Sequence, residues 1–394
     1  MPKIPELGTI SLKRIISSRL GSVLPVVLAL VAIWAYFGLT EPAFLSPRNF
    51  YYLFMQSSVV GTLAVGITIV LLIGDIDLSV AATSGVCAAI LAVLTTNLGI
   101  PAPVSCLAAL VAGVAIGVFQ GIMSALVGIP SFVVTLAGLL GFQGLMLKIL
   151  GIHGAINVRD PFVRGITTTT LPVELGWAAA VASMTLFAWI VWQNRKKRFR
   201  LSLEVNSQLS DFTKVFLFAI FSVSVVATLN LYRGVPLVVI ILLILTFFLG
   251  WVTTSTPFGR SLFAVGGNAE SARRAGISLK GVKIAAFGIV GFMAATGGIV
   301  GASRYASVSF NAFAGGPLLL EAIGAAVIGG TSLFGGRGSV WNAILGALVI
   351  GSLGNGLDLS GAGAADKLMF SGGILLLAVS IDALSRQGRI QNRA

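Results

Sequence analysis

Two carboxylates interrupt a hydrocarbon run in the stretch IVLLIGDIDLSVAATSGV, residues 69–86, where Asp75 and Asp77 stand two residues apart. A carboxylate in apolar surroundings is costly and needs a job. Three chemistries suit the pair: proton or sodium coupling, lining of a polar path, or capping of a helix that resumes at Val80. Asp77 and Ser79 are placed to accept from the first N–H groups of that helix, whose positive dipole end favours an anion. A second stretch, GIPSFVVTLAG, puts Pro130 at the entry to a new helix, Ser131 where it can cap that helix, and Phe132 and Thr135 on neighbouring faces of it. A hydroxylated solute needs polar partners for its rim and apolar contact for its C–H face. Asp75, Asp77, Ser79, Gln120, Ser131, Phe132, Thr135 and Gln143 are therefore candidate path residues. Packing and helix-to-helix hydrogen bonding account for the same residues equally well.

Other chemistry is missing from the sequence. The dipeptide Gly-Lys is absent, so the chain carries no phosphate-binding P-loop, and no HExxH or GxSxG motif occurs. Cys87 and Cys106 lie in apolar segments and read as small buried hydrophobes, and His153 sits in a Gly-rich loop. They form no metal site. An enzyme acting alone is not expected.

A third stretch, TSTPFGRSLFAVGGNAESARRAGISLKGVK, residues 254–283, holds a short helix with readable ends. Asn268 is a good N-cap, Glu270 lies in the first turn, Arg273 and Arg274 follow, and Gly276 stops it. A helix of about two turns is marginal alone. Held between two spans, it presents a charged surface to a partner or serves as a solvated basic loop.

The elements that must position these stretches are membrane spans. Of 394 residues 56% are hydrophobic and 10% charged, with a mean hydropathy of +0.99; soluble domains carry about 25% charged residues. The formal charge of +13 comes from basic residues sorted into short loops with no aromatic-interleaved face, which excludes a nucleic-acid surface. Apolar runs predict twelve spans: 22–39, 53–73, 80–94, 107–126, 132–150, 175–192, 215–229, 235–251, 284–302, 318–333, 340–353 and 368–384. Several are short, as expected where helices break under the cover of neighbours. With the N-terminus inside, 19 of the 26 basic residues fall on the cytoplasmic side, in agreement with the positive-inside rule. Both termini are then cytoplasmic. Gly113, Gly117 and Gly121 form one helical stripe and Gly297 and Gly301 another, which lets helices approach closely within one subunit or across a dimer seam. A second Gly-rich break, GGTSLFGGRGS, resembles the first and hints at a duplication of 53–150 as 284–384.

The segments GDIDLSV, GIPSFVVTLAGLLGFQG, GNAESARRAGI and GGTSLFGGRGSVWNAILGALVIGSLGNGLDL, in this order along the chain, resemble the monosaccharide branch of ATP-binding-cassette (ABC) importer permeases, over residues 49–384. The pair of spans around RKKRFR, followed by YRGVP, is most similar to the xylose-importing members. Ala81 departs from that pattern, which usually has Gly after DLSV, and Asp75 stands where Gly or Glu is common. The resemblance implies an all-α, polytopic membrane protein of about twelve (ten to twelve) transmembrane helices, a type II ABC importer-like permease in the bacterial inner membrane. The whole chain, 1–394, would be one permease domain with a cytoplasmic segment 1–21 and a coupling loop 253–283. It further implies a homodimer in lipid, an ATP-binding cassette subunit that uses the ATP and Mg, no cofactor on this chain, and a periplasmic sugar-binding protein met by loops such as 151–171 with Arg159 and Arg164. Gly267, Asn268, Glu270, Ala272, Arg273 and Gly276 would carry the ATPase contact. The competing reading is an ion-coupled secondary sugar transporter that uses Asp75 and Asp77; a facilitator channel is a third.

Overall fold

The computed structural model describes residues 19–203, 207–314, 316–373, 376, 379 and 380. Most of the expected segment 1–21, the end of the expected span 368–384, and Arg386, Arg389 and Arg393 lie outside the described residues. Fifteen helices follow one another: α1 (Arg19–Thr40), α2 (Pro47–Leu72), α3 (Val80–Ala92), α4 (Ala102–Ile122), α5 (Ser131–Leu150), α6 (Pro161–Thr168), α7 (Val173–Arg200), α8 (Gln208–Asn230), α9 (Leu237–Ser255), α10 (Pro257–Gly267), α11 (Ala269–Arg274), α12 (Leu279–Tyr305), α13 (Phe310–Phe313), α14 (Leu318–Ile328) and α15 (Val340–Leu359). Residues 364–373 are helical as well. Helices α3 and α4 each run on into a π-helical turn, Val93–Asn97 and Met123–Val127. Strands β1 (Ala155–Asn157) and β2 (Ser307–Ser309) pair antiparallel, the only sheet among the described residues.

Ten helices among the described residues are long and apolar enough to cross a membrane, against the twelve counted from sequence. Apolar α1 is shorter by that measure, with the stretch Leu24–Thr40, and the last expected span is described only in part.

Helix α2 is apolar around its whole circumference and almost entirely buried. A helix of that kind must be enclosed by protein, and α2 is covered by α12, α14, α15 and α9. Helix α12 is the counterpart. It packs on α2, α3 and α4, while α2 packs on α12, α14 and α15. The pairs α3–α4 and α14–α15 correspond in turn. Helices α2 and α12 run in opposite directions where they touch, with Gly66 against Met293 and Gly297 against Leu63, the relation an inverted repeat would give its first helices. The expected duplication of 53–150 as 284–384 has this partial counterpart in the packing, and the end of 368–384 lies outside the described residues. The two glycine breaks that suggested it are not equivalent, since the first follows the first helix of its unit and the second follows the second.

The glycine stripe on α4 faces inward. A Cβ at Gly113 would collide with the Gly291 carbonyl, one at Gly117 with that of Phe287, and one at Gly121 with the backbone of Ile284. Gly297 and Gly301 likewise meet Leu63 and Phe313 of the same chain. These stripes pack α4 and α12 within the subunit, not between subunits. Helices α7 and α8 lie outside this core, pack chiefly on each other, and are exposed along most of their apolar length, as suits contact with lipid.

Candidate functional site

The break between α2 and α3, residues 73–79, is the centre of a hydrogen-bonded knot. Asp77 is buried, and its Oδ1 accepts from the Ser79 N–H and from Ser79 Oγ, both at 2.7 Å. The amide of Gln120 on α4 donates to Ser79 Oγ at 2.7 Å. Thr135 on α5 donates to the carbonyl of Ile76 at 3.2 Å. The carboxyl of Asp77 is pushed above its ordinary range by burial, while the two bonds from Ser79 pull it down. Ser79 occupies the N-cap position of α3, yet its side chain makes no capping bond. The sequence expectation is corrected here: Asp77 grips the cap residue, and Ser79 Oγ is drawn sideways to Asp77 and Gln120.

Asp75 is the hub of a second set. Ser131 Oγ donates to its Oδ1 at 2.8 Å, and the Lys283 ammonium lies 2.9 Å from Oδ2 and 3.2 Å from Oδ1. Lys283 also reaches Ser124 Oγ at 3.3 Å, on the π-helical turn that ends α4. Ser131 was expected to cap α5. Pro130 takes the cap position instead, and Ser131 is spent on Asp75. Lys283 escaped the sequence reading. Its only signal was a cation just inside the start of a span, three residues after Lys280, with its partner 208 residues away. Phe132 is exposed, and Gln143, about three turns further along α5, donates to the Ala314 carbonyl at 2.8 Å.

The segment 254–278 folds around its caps. Thr256 accepts from the Gly259 N–H at 3.2 Å to start α10. Asn268 accepts from the Ser271 N–H at 2.8 Å to start α11. Gly276, at φ +82°, ends α11, and its N–H bonds the Arg273 carbonyl at 3.0 Å. Glu270 pairs with Arg273 at 2.9 Å and Arg274 at 3.1 Å. Those two guanidinium groups, Arg273 first, hold its carboxyl below the ordinary range. Gly267, Asn268, Glu270, Arg273 and Gly276 are exposed, while Ala272 is buried and turned into its own chain.

Besides the apolar packing of Leu262 and Val265, this exposed segment meets the end of α2, next to the knot, backbone against backbone. A Cβ at Gly266 would collide with the Leu72 carbonyl at the end of α2 and would lie 2.5 Å from the Gly336 nitrogen. The Gly336 N–H donates to the same Leu72 carbonyl at 2.9 Å. Three chain segments thus meet at one carbonyl: the end of α2, the end of α10 and the second glycine break. On the opposite face, the loop after α5 is ordered by β1 and by α6, which Asp160 caps through the Val163 N–H at 3.0 Å. Arg159 and Arg164 are exposed there.

Residues 49–379 match the family described as branched-chain amino acid transport system / permease component. The xylose transport system permease protein of Haemophilus influenzae is 35% identical over 368 residues, 91% of this chain and 96% of the relative. That of Escherichia coli is 36% identical over 360 residues, 91% of each chain. The autoinducer 2 import system permease protein of Salmonella typhi is 32% identical over 323 residues, 81% of this chain and 74% of the relative. No solved structure matches the chain.

Proposed function

The chain belongs to the family of branched-chain amino acid transport system permease components, and from that premise we propose that it is the membrane-spanning subunit of an ABC importer for a monosaccharide, D-xylose or another pentose or hexose. The sugar class rests on the two xylose permease relatives and on their cover of nearly the whole chain. The observation that carries the mechanism is the exposed, doubly capped α10–α11 segment fixed through Gly266 to the break after α2.

In this reading Gly267, Asn268, Glu270, Arg273 and Gly276 meet a separate ATP-binding cassette subunit, which holds the ATP and Mg; Ala272 seats α11 on its own chain. The permease itself transfers no chemical group. A displacement of α10 pushes on Leu72 and Gly336 together, because no side chain lies between them to absorb it. The movement reaches the Asp75–Lys283 pair and the Asp77–Ser79–Gln120 knot, where α2, α3, α4, α5 and α12 converge. Asp75, Asp77, Ser79, Gln120, Ser131 and Thr135 then act as the joint near the inner end of the path rather than as a free binding surface. Two copies in the bacterial inner membrane, with both termini in the cytoplasm, and a periplasmic sugar-binding protein meeting residues 151–171 complete the assembly. The ion-coupled alternative is less well supported, since Asp75 already has a cation and Asp77 is held by Ser79.

The test is co-purification with an ATP-binding cassette subunit of a sugar importer from the same cell, followed by ATP hydrolysis in the presence of the binding protein and a series of pentoses and hexoses. Stimulation by one sugar supports the assignment. No association with the ATPase, or hydrolysis indifferent to every sugar, contradicts it.

A further inference from the structure

On the face opposite the coupling segment, a cavity of about 190 Å³ opens between α2, α14, α15 and the end of α12. Its walls carry Gln56, Arg304, Tyr305, Glu321, Asn355 and the pair Asp358–Lys367. These are unusual residues to gather at the end of membrane helices, where ionisable groups mark paths or sites.

Their hydrogen-bonding capacity is only partly used. Asn49 donates to Asn355 Oδ1 at 2.7 Å and fixes that amide; Asn355 Nδ2 then donates to Gln56 Oε1 at 3.3 Å. The Gln56 amide nitrogen is left without a partner among the described residues. The half-buried Glu321 carboxylate also has none among the described residues, although Arg304 stands close enough to act on it electrostatically. Arg304 itself lies over the Tyr305 ring, 4.9 Å from its centroid, and one of its nitrogens donates to the Tyr305 hydroxyl at 3.3 Å, which leaves further guanidinium N–H groups without a partner among the described residues.

We propose that this cavity is a solute site in each subunit for a neutral, hydroxyl-rich molecule of monosaccharide size. The inference rests on the importer reading and adds to it where the sugar is held. Charge selects the class. Two carboxylates and two cations line the space, so an anion meets Glu321 and Asp358 while a cation meets Arg304 and Lys367. A hydroxyl both donates and accepts, and so pairs with Glu321 and with Arg304 or Gln56 at once. Tyr305 offers an aromatic face for the C–H side of a ring. The volume lies below the roughly 300–1,000 Å³ of sites for drug-sized ligands, as a small solute requires.

Gly354 gives a clean test. It lines the cavity, and a Cβ there meets nothing within 4 Å, so a large side chain fills the space without displacing the core. In the full complex in proteoliposomes, Gly354→Phe should abolish D-xylose uptake. Glu321→Gln should raise KM about tenfold or more, the loss expected of a charge-assisted hydrogen bond, and Glu321→Asp should recover part of it. Wild-type KM and rate in both Gly354→Phe and Glu321→Gln, with wild-type amounts of assembled complex, would overturn the cavity while leaving the importer reading intact. Wild-type complex that imports no sugar would overturn both.

Discussion

Asp75, Asp77, Ser79, Gln120, Ser131 and Thr135 on the coupling face each find a partner on another element or within the break. Glu321, Gln56 and Arg304 on the opposite face line one cavity and leave bonding capacity turned towards open space. The same central helices, α2 and α12, reach into both clusters. A polar group buried with a partner stiffens a joint, and a polar group held without one awaits a ligand. The first region is thus suited to transmit force and the second to hold a solute.

That contrast is broken most severely at the glycine contact. Gly266→Val drives a side chain into the Leu72 carbonyl, and backbone on the other side cannot step aside. We expect a loss of about 3 kcal/mol or more, or failure to accumulate in the membrane. The adjacent Gly267→Val meets nothing within 4 Å and should keep wild-type stability within about 0.5 kcal/mol in the same thermal unfolding assay. Next comes the ion pair. Asp75→Asn should cost about 1–3 kcal/mol, less than for a fully buried pair because Lys283 and Asp75 side chains retain 27% and 15% exposure. Replacing Lys283 by Met in that background should return part of the loss, measured as a double-mutant cycle.

Asp77→Ala removes the oxygen that accepts both bonds from Ser79 and should cost about 1–2 kcal/mol. Asp77→Asn keeps an acceptor oxygen and should cost less. Burial raises the Asp77 carboxyl, so the stability it contributes is full below its unfolded value near 3.8 and is lost as pH rises through the folded one. The comparison should therefore move in favour of Asp77→Asn as the pH of the unfolding assay is raised. Smallest is Glu270, whose carboxyl is lowered by Arg273 and then Arg274. Its contribution is present above 4.5 and lost as pH falls through the folded value. Glu270→Gln should weaken binding of the ATPase a few-fold at low salt, with no difference at high salt.

Much of the coupling face was legible because its signals are local. Asn268, Glu270 and Gly276 cap and stop α11 as their spacing predicts, and Asp77 lies two residues from the Ser79 it holds. The cavity was not legible. Gln56, Arg304, Glu321 and Asn355 are separated by up to 299 residues, and only the packing of α2, α12, α14 and α15 brings them together. The direction in which the glycine stripes face was equally closed to sequence, since small residues allow close approach without naming the neighbour. Ser131 shows the same limit: cap chemistry fits its position, and a carboxylate 56 residues earlier takes it instead.

The central claim, sugar import driven by a separate ATPase, is tested most directly by D-xylose uptake into proteoliposomes holding this chain. The account predicts uptake that requires the ATPase with ATP on the coupling face and the binding protein on the other. It also predicts that Asp75→Asn leaves uptake insensitive to proton and sodium gradients, as in the wild type. Uptake by the chain alone, driven by an ion gradient and abolished by Asp75→Asn, would contradict it.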